Sequence, residues 1–438
     1  MALVVKNNMQ AKNTLNQLNK NDKALAKSLK KVASGMKINS AEDDASGYSI
    51  AEKMTVQIRS LNQDEANVQN GSSMLKVASG AMESTADLLA TLKEKVINAA
   101  NDTNTDADRQ IIQKELDQAI NQIDDNANVT YNGKIMLDGS KNNVVVIPGT
   151  YTHLANESLA EDTTLYDFLT ELKSRDGENL GIAVDDKVTV SYVKDGETWT
   201  HTTTVADDTD FSYIFNWSPC SDDLTIANYS DSSKVGIDQY GNDVFTADGK
   251  AAIVYKAKNP GLAGQIAGLT IRVEDKEGNV RKSTNRILDN FNETVRAQNP
   301  MEDNALVFQT GTKANVTVRA GFTDMRSMAL GLKGSGDNNI DITSQAKANA
   351  AISVLDNALS KVLSQQTTVG ALLNKLEHTE ANIVTASENT QASESVIRDA
   401  DMAKEMTAYT KNNVLMQASQ SMLAQANQNS SSVLSLLQ

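Results

Sequence analysis

Residues 4–36, "VVKNNMQAKNTLNQLNKNDKALAKSLKKVASGM", carry the pattern that decides the architecture. Alternating steps of four and three visit Val4, Asn8, Ala11, Leu15, Leu18, Asp22, Leu25, Leu29, Val32 and Met36, and only Asn8 and Asp22 break the apolar rule. An apolar residue every 3.5 positions keeps one helix face towards a partner helix, which is coiled-coil spacing. The other end of the chain answers it. Leu415, Ser419, Met422, Ala426, Asn429, Val433 and Leu436 follow the same steps, and Leu423, Leu434 and Leu437 widen the stripe.

A second pair of seams lies further in. Ile352, Leu355, Leu359, Val362, Gln366, Val369, Leu373, Leu376, Glu380 and Ile383 keep the spacing on the C-terminal side. Met54, Ile58, Leu61, Val68, Leu75, Met82, Leu89 and Val96 do so on the N-terminal side, with polar interruptions. A helix over 43–101 is predicted, about 85 Å long at 1.5 Å per residue. All four prolines (Pro148, Pro219, Pro260, Pro300) and both tryptophans (Trp199, Trp217) lie in the middle of the chain. Proline breaks helix interiors, so the proline-free ends permit very long helices.

The middle has a different period. "KVTVSYVKDGETWTHTTTV" (187–205) alternates, turns at Asp195-Gly196 and alternates again, which predicts a hairpin. "GLTIRVEDKEGNVRK" (268–282) repeats the design around Glu277-Gly278, and "TTLYDFLTELKSR" (163–175) predicts a short helix. "NVTYNGKIMLDG" (128–139) turns at Asn132-Gly133, and "NALVFQTGTKANVTVRAGF" (304–322) predicts a further hairpin. The expected fold class is mainly α: long helical coiled-coil arms from both termini packed together, with small β-hairpins and an inserted α+β outer domain. The expected domains are 1–40 plus 402–438 as an inner coiled coil, 41–140 plus 305–401 as a second helical domain with β-hairpins, and 141–304 as a variable outer insert.

Composition narrows the function. Of the 438 residues, 40% are hydrophobic but only 4% aromatic, which suits helices packed through thin seams. The single cysteine, Cys220, has no partner for an internal disulfide. The start "MALVVKNNMQAKN" lacks a signal-peptide core, and no stretch reaches the ~18 apolar residues of a membrane helix. No membrane insertion is expected, and any export is expected to follow a non-Sec route. Residues 1–40 carry eight Lys and one Asp. They have no Arg and no aromatic residue for stacking, so a solvated helix face is expected rather than a nucleic-acid arm. The three histidines, His153, His201 and His378, are far apart, and there is no HExxH, CxxC, P-loop or GxSxG. "GLAGQIAGL" (261–269) lacks the dinucleotide-binding spacing, so it is expected to be a loop. No enzyme, no metal and no cofactor is expected.

"KINSAEDDASGYSI" (37–50) clusters Glu42, Asp43 and Asp44. Gly35 is placed to stop the first helix through a left-handed cap. Ser40 is predicted to cap the next, with Asp43 three residues on as the partner in a capping box and the acids, Asp44 included, in the first turn. A calcium loop wants acids at alternate positions and a later Glu, which this stretch does not offer. The acids are therefore expected to shape a joint between two helices.

These residues also carry a resemblance. "LKKVASGMKINSAEDDASGYSIAEKM" is similar to the flagellin N-terminal motif, and "GALLNKLEHTEANI", "SENTQASESVIRDADMAKEM" and "MLAQANQNSSSVLSLLQ" are similar to the flagellin C-terminus. The likeness covers roughly 1–140 and 305–438, and the middle carries no such match. It implies a structural subunit that self-assembles into the bacterial flagellar filament for motility. On this reading the chain is exported unfolded by the flagellar type III system to an extracellular filament. The implied partners are other copies of itself and the flagellar export chaperone, cap and hook-junction proteins. The polymerisation seam is expected at Val4, Leu15, Leu18, Leu25, Leu29, Val32, Leu415, Met422, Leu423, Val433, Leu434, Leu436 and Leu437. The resemblance further implies contacts to the flagellin-sensing Toll-like receptor. In "LATLKEKVINAAN" (89–101) Lys93, Glu94 and the later Glu115 fit the family's receptor motif, whereas Thr91 stands where an Arg is expected and Lys95 where a Leu is expected. Weakened receptor binding follows, because Arg and apolar anchors dominate interfaces. The competing readings are a hook–filament junction protein, a secreted enzyme on a flagellin-like export frame, and a chemoreceptor-like coiled coil, the last disfavoured by the lack of a membrane helix.

Overall fold

The computed structural model describes residues 8–228, 233–336 and 338–436, except the side chains at 226–228, 430 and 433–436. The chain opens with α1 (Met9–Ser34), α2 (Ala45–Ala99) and α3 (Asp106–Ala127), then β1 (Thr130–Tyr131) and β2 (Lys134–Ile135). The middle holds β3 (His153–Asn156), β4 (Lys187–Lys194), β5 (Glu197–Thr204), α4 (Cys220–Asp223), β6 (Leu224–Asn228), β7 (Lys234–Ile237), β8 (Asp243–Phe245) and β9 (Ile253–Ala257). It continues through β10 (Ile266–Glu274), α5 (Lys282–Leu288) and β11 (Asn292–Val295). The chain returns through β12 (Leu306–Gln309), β13 (Thr317–Ala320) and α6 (Ser327–Leu330) to α7 (Gln345–Arg398) and α8 (Met402–Leu436). Contacts divide it into two compact units: 1–69, 309–316 and 378–438 form the first, and 70–308 and 317–377 the second.

The first unit is helical. α1 packs along α8, and below this pair the start of α2 runs beside the end of α7. Thr55 Oγ1 donates to Glu394 Oε1 at 2.9 Å, Ser387 Oγ to Asn62 Oδ1 at 3.0 Å and Gln69 Nε2 to Glu380 Oε1 at 2.9 Å. The predicted seven-residue spacing is visible in burial. Leu61 and Val68 on α2 and Ile383 on α7 are buried in this unit, and Leu75, Met82, Leu89, Val96, Leu355, Val362, Val369 and Leu376 continue the two series in the other.

The second unit holds the rest of α2 and α7 together with α3, α6 and the sheets. The predicted turns form with positive φ at both central residues, Asn132-Gly133 between β1 and β2 and Asp195-Gly196 between β4 and β5. That is the backbone a two-residue hairpin needs, and Asn, Asp and Gly tolerate it. β5, β4 and β10 make one antiparallel sheet, and β6, β9, β3 and β11 make another. β12 pairs with β13, as the sequence predicts. Side chains from the two larger sheets share a core around Tyr192, Phe211, Phe215, Tyr255 and Phe291, with Phe215 and Tyr255 ring centroids 4.4 Å apart. Cys220 is buried there, and burial with the nearby Asp223 carboxylate pushes its thiol up to about 12, so it is an inert core residue.

Three local expectations fail. The loop expected over 261–269 is strand from Ile266 onwards, where β10 begins and pairs with β4. The helix expected over 163–175 shrinks to one 3-10 turn at Leu169–Glu171. Thr164 is held by the Asp167 side chain, and Phe168 bridges to Asp210, so the backbone is committed elsewhere. The hairpin expected at Glu277-Gly278 has only one strand. After β10 the turn closes with the Gly278 amide on the Asp275 carbonyl, Glu274 bridges once to Val280, and the chain enters α5. β10 takes its full-length partner from β4 instead.

His153 sits buried on β3 with Nδ1 3.1 Å from the Tyr151 carbonyl, and Lys256 is nearby. Burial, with the Lys256 charge adding to it, lowers its pKa from 6.5 to about 4. A base whose folded pKa is depressed contributes stability that is full above the unfolded value and is lost as pH falls through it. The insert is therefore expected to lose on the order of 3 kcal/mol between pH 6.5 and pH 4. Thermal melts across this window, compared with His153→Gln, check this: the variant should show a flatter pH dependence, and equal slopes refute it.

Candidate assembly surface and helix joint

α1 begins at Asn8, whose Oδ1 accepts from the Ala11 amide at 2.9 Å, a side-chain cap. Its face towards α8 is not the expected one. Asn21 and Ser28 are buried, at 8% and 7% exposure, whereas Leu15 and Leu29 are exposed at 45% and 51%. Leu18, Leu25 and Val32 are half-buried on the α8 side. The expected seam would have buried Asp22, an unpaired carboxylate in an apolar strip. Turning the helix by about one residue puts Asp22 in water and Asn21 inside.

Asn21 Nδ2 donates to Ser419 Oγ at 2.7 Å and to the Leu415 carbonyl at 3.2 Å. Asn412 Nδ2 donates to Ser28 Oγ at 3.0 Å, Asn8 Nδ2 to the Ala426 carbonyl at 3.2 Å, and Lys31 Nζ lies 3.4 Å from Glu405 Oε1. On α8 Ser419 and Ala426 are buried and Leu423 is half-buried, but Leu415 and Met422 face water. Of the expected seam, then, Leu18, Leu25, Val32 and Leu423 lie on the inner faces, and Leu15, Leu29, Leu415 and Met422 are exposed, as are Met9, Met406 and Val414. Val4 and Leu437 fall outside the described residues, as do the side chains of Val433, Leu434 and Leu436.

The joint follows. Gly35 ends α1 in the left-handed conformation, φ 72°, with its amide on the Lys31 carbonyl. The helix cap expected of Ser40 is supplied by Asp44, whose Oδ1 accepts from the Ser46 and Gly47 amides at 3.0 Å each. Ser40 only turns the chain, its carbonyl accepting from the Asp43 amide. Asp43 looks back instead. It accepts from the Asn39 amide at 3.1 Å and pairs with Lys27 of α1 at 2.9 Å. The Lys27 ammonium, then the Asn39 amide, pull its pKa down to about 2. Gly47 leaves room for the buried Ile38, since a Cβ there would press on Ile38 Cδ1 and Asp44.

The break between α7 and α8 lies against this one. Lys37 N donates to the Arg398 carbonyl at 2.7 Å and Ala400 N to the Gly35 carbonyl at 2.9 Å, and Met36 bridges to Asp399. Arg398 reaches Glu52 at 3.1 Å and Glu394 at 3.3 Å, and Asp401 caps α8 through the Ala403 and Lys404 amides. Lys27, Asn39, Gly47 and Asp401 were not assigned to the joint from sequence. The Asp-x-x-helix pattern at 401 was the available signal for one of them.

In the second unit Lys93 pairs with Asp356 at 2.5 Å and Lys95 with Glu115 at 3.0 Å. Thr91 and Glu94 are exposed. Arg109 is buried and ties the end of α2 to α3, its Nε on the Ala99 carbonyl at 2.8 Å and an NH2 on the Asn101 carbonyl. Among the described residues no group of three or more His, Cys, Asp or Glu is placed to hold a metal, and no helix is long and apolar enough to cross a membrane.

Paired terminal helices with exposed apolar side chains, and a joint built of caps, backbone hydrogen bonds and ion pairs, are the features of a structural protein. Its flanks match the models for the bacterial flagellin N-terminal helical region over residues 5–142 and the C-terminal helical region over 352–437. A flagellin of Clostridium tyrobutyricum is 33% identical over 427 residues, 97% of this chain and 99% of that protein. Flagellin FlaB2 of Treponema pallidum is 28% identical over 437 residues, 99% of this chain and all of that protein. Among solved structures, a flagellar hook-associated protein from Legionella pneumophila aligns with a TM-score of 0.33 at 16% identity, over 78% of this chain and 97% of that one. The chain belongs to the bacterial flagellin family.

Replacing Asp44 by Ala should destabilise the first turn of α2 by about 0.5–2 kcal/mol, while Ser40→Ala should cost little. Amide hydrogen exchange at residues 45–48 checks the order. Faster exchange in the Ser40 variant than in the Asp44 variant would overturn the assignment.

Proposed function

We propose that this flagellin polymerises by setting the exposed apolar side chains of α1 and α8 against the same helices of neighbouring copies. The observation that carries this reading is the heptad-spaced exposure of Leu15 and Leu29 on α1 and of Leu415 and Met422 on α8, two helices whose inner faces are already occupied. Burying one such side chain favours association by about 1.5–3 kcal/mol, before the cost of lost translational and rotational freedom. Contacts between non-identical patches generate open helical polymers where the rotation between copies does not close into a ring. The family membership supports a filament subunit, a structural protein rather than an enzyme.

In this reading residues 1–40 and 402–438 form the inner layer, 41–140 and 305–401 the second, and 141–304, the most acidic block, the outer insert. The chain leaves the cell unfolded through flagellar type III export, and meets an export chaperone, the cap and the hook-junction proteins on the way. The full-length likeness to named flagellins favours the filament over the hook junction. At the receptor-like stretch, Lys95 occupies Glu115 in an ion pair and Thr91 offers no guanidinium. Both features support weakened recognition by the flagellin-sensing Toll-like receptor, with Lys93, Glu94 and Glu115 as the remaining contacts.

Leu15→Asp with Leu29→Asp should abolish sedimentable filaments and leave the monomer's helical circular dichroism unchanged, because both side chains already face water. Filaments at the unsubstituted chain's yield would refute the proposed surface. Thr91→Arg with Lys95→Leu should raise receptor affinity at least about tenfold, equivalent to ~1.4 kcal/mol. A titration showing no gain removes the receptor reading.

A further inference from the structure

We propose that a polar groove beside the β4–β5 turn binds a short neutral saccharide. This lies beyond the filament reading and does not depend on it, since every wall belongs to the second unit. The groove encloses about 630 Å3 between β5, α3 and the segment leading into α7. Pockets of that size hold small organic ligands.

Trp199 forms one wall. It sits on β5, the edge strand of its sheet, with 38% of its surface in water. The opposite side is polar and already ordered. Gln113 Nε2 donates to Asp117 Oδ1 and to the Ile340 carbonyl, each at 2.9 Å, and Gln113 Oε1 accepts from the Ile342 amide at 2.8 Å. Asn339 Nδ2 donates to the same Asp117 oxygen at 2.9 Å.

The walls are held by close backbone approach. Asp195 Oδ1 accepts from Ser335 N and Ser335 Oγ at 3.0 Å each. A Cβ at Gly196 would overlap the Asn338 carbonyl, and one at Gly334 would overlap the Asp195 carbonyl. Glycine at both positions lets the hairpin turn seat against Gly334, Ser335 and Asn338, so the groove is formed before any ligand arrives.

The chemistry selects the ligand class. A pyranose has an apolar C–H face for the indole and a rim of hydroxyl donors for the carboxamide and carboxylate oxygens. Asp117, Glu197 and Asp341 outweigh Lys347, whose ammonium is already 2.5 Å from Asp341. That balance repels acidic sugars and phosphates and leaves neutral ones.

The chain has two tryptophans, so Trp217→Phe makes Trp199 the only indole. Full-length protein carrying that change is titrated with chitotriose, maltotriose and spermidine up to about 10 mM, a range that captures weak binding. A saturable change in Trp199 emission with a neutral trisaccharide is expected. Calorimetry on the otherwise unsubstituted chain should then show affinity falling about tenfold in Trp199→Ala and in Asn339→Ala, with unchanged circular dichroism. No saturable response to either sugar, an affinity in both variants unchanged from the unsubstituted chain, or a response to spermidine alone would each overturn the proposal.

Discussion

The hydrogen bonds of Asn8, Asn21 and Ser28 to α8 decide which face of α1 is left uncovered. A helix with apolar residues on two neighbouring stripes can turn either towards its partner. Here the polar residues choose. Asn21 finds the Ser419 hydroxyl and the Leu415 carbonyl only when its stripe faces inward, and Asp22 escapes burial in the same rotation. The leucines at 15 and 29 are then left exposed, at 45% and 51%. Intrachain packing and the assembly surface are thus two results of one rotational choice.

The joint obeys the same economy of parts. Both helix-to-helix breaks come together through the Lys37–Arg398 and Ala400–Gly35 backbone bonds, so each break supplies hydrogen-bond partners to the other. Two of the three clustered acids are occupied: Asp44 caps α2, and Asp43 holds Lys27 and the Asn39 amide, while Asp401 caps α8. Helix ends expose unpaired amides, and short carboxylates are the residues best suited to satisfy them. Asp43 and Asp44 stand side by side because two jobs, closing one turn and starting the next, fall within five residues.

Periodicity made the long elements legible. The seven-residue series through Leu61–Val96 and Leu355–Ile383 is buried as its spacing predicts, and the Asn132-Gly133 and Asp195-Gly196 turns form because those residues tolerate positive φ. Rotation was less legible. A heptad count treats Leu15 and Leu18 alike, and only the position of a hydrogen-bonding partner nearly 400 residues away separates them. The cap moved from Ser40 to Asp44 for a similar reason, since Lys27 had already drawn Asp43 backwards. In the insert, Phe168 could have continued a helix but pairs with Asp210, a non-local contact that no window of sequence contains. The groove at Trp199 depends on the hairpin turn meeting a segment some 140 residues further on.

Leucine at positions 21 and 28 would make the pair of terminal helices more stable, since burying a leucine is worth about 1.5–3 kcal/mol against roughly 0.5–1.5 for a net hydrogen bond. It would also make one heptad equivalent to the next. α8 could then slide by seven residues at little cost, a displacement of about 10 Å along its axis. Such a slip would displace the exposed Leu415 and Met422 along α1 and change the surface that the pair presents. Polar residues in an apolar seam specify register at a cost in stability. In a subunit whose partners must meet the same composite surface on every copy, register is the property that cannot vary, and the asparagine and serine positions are where the chain gives up stability to keep it.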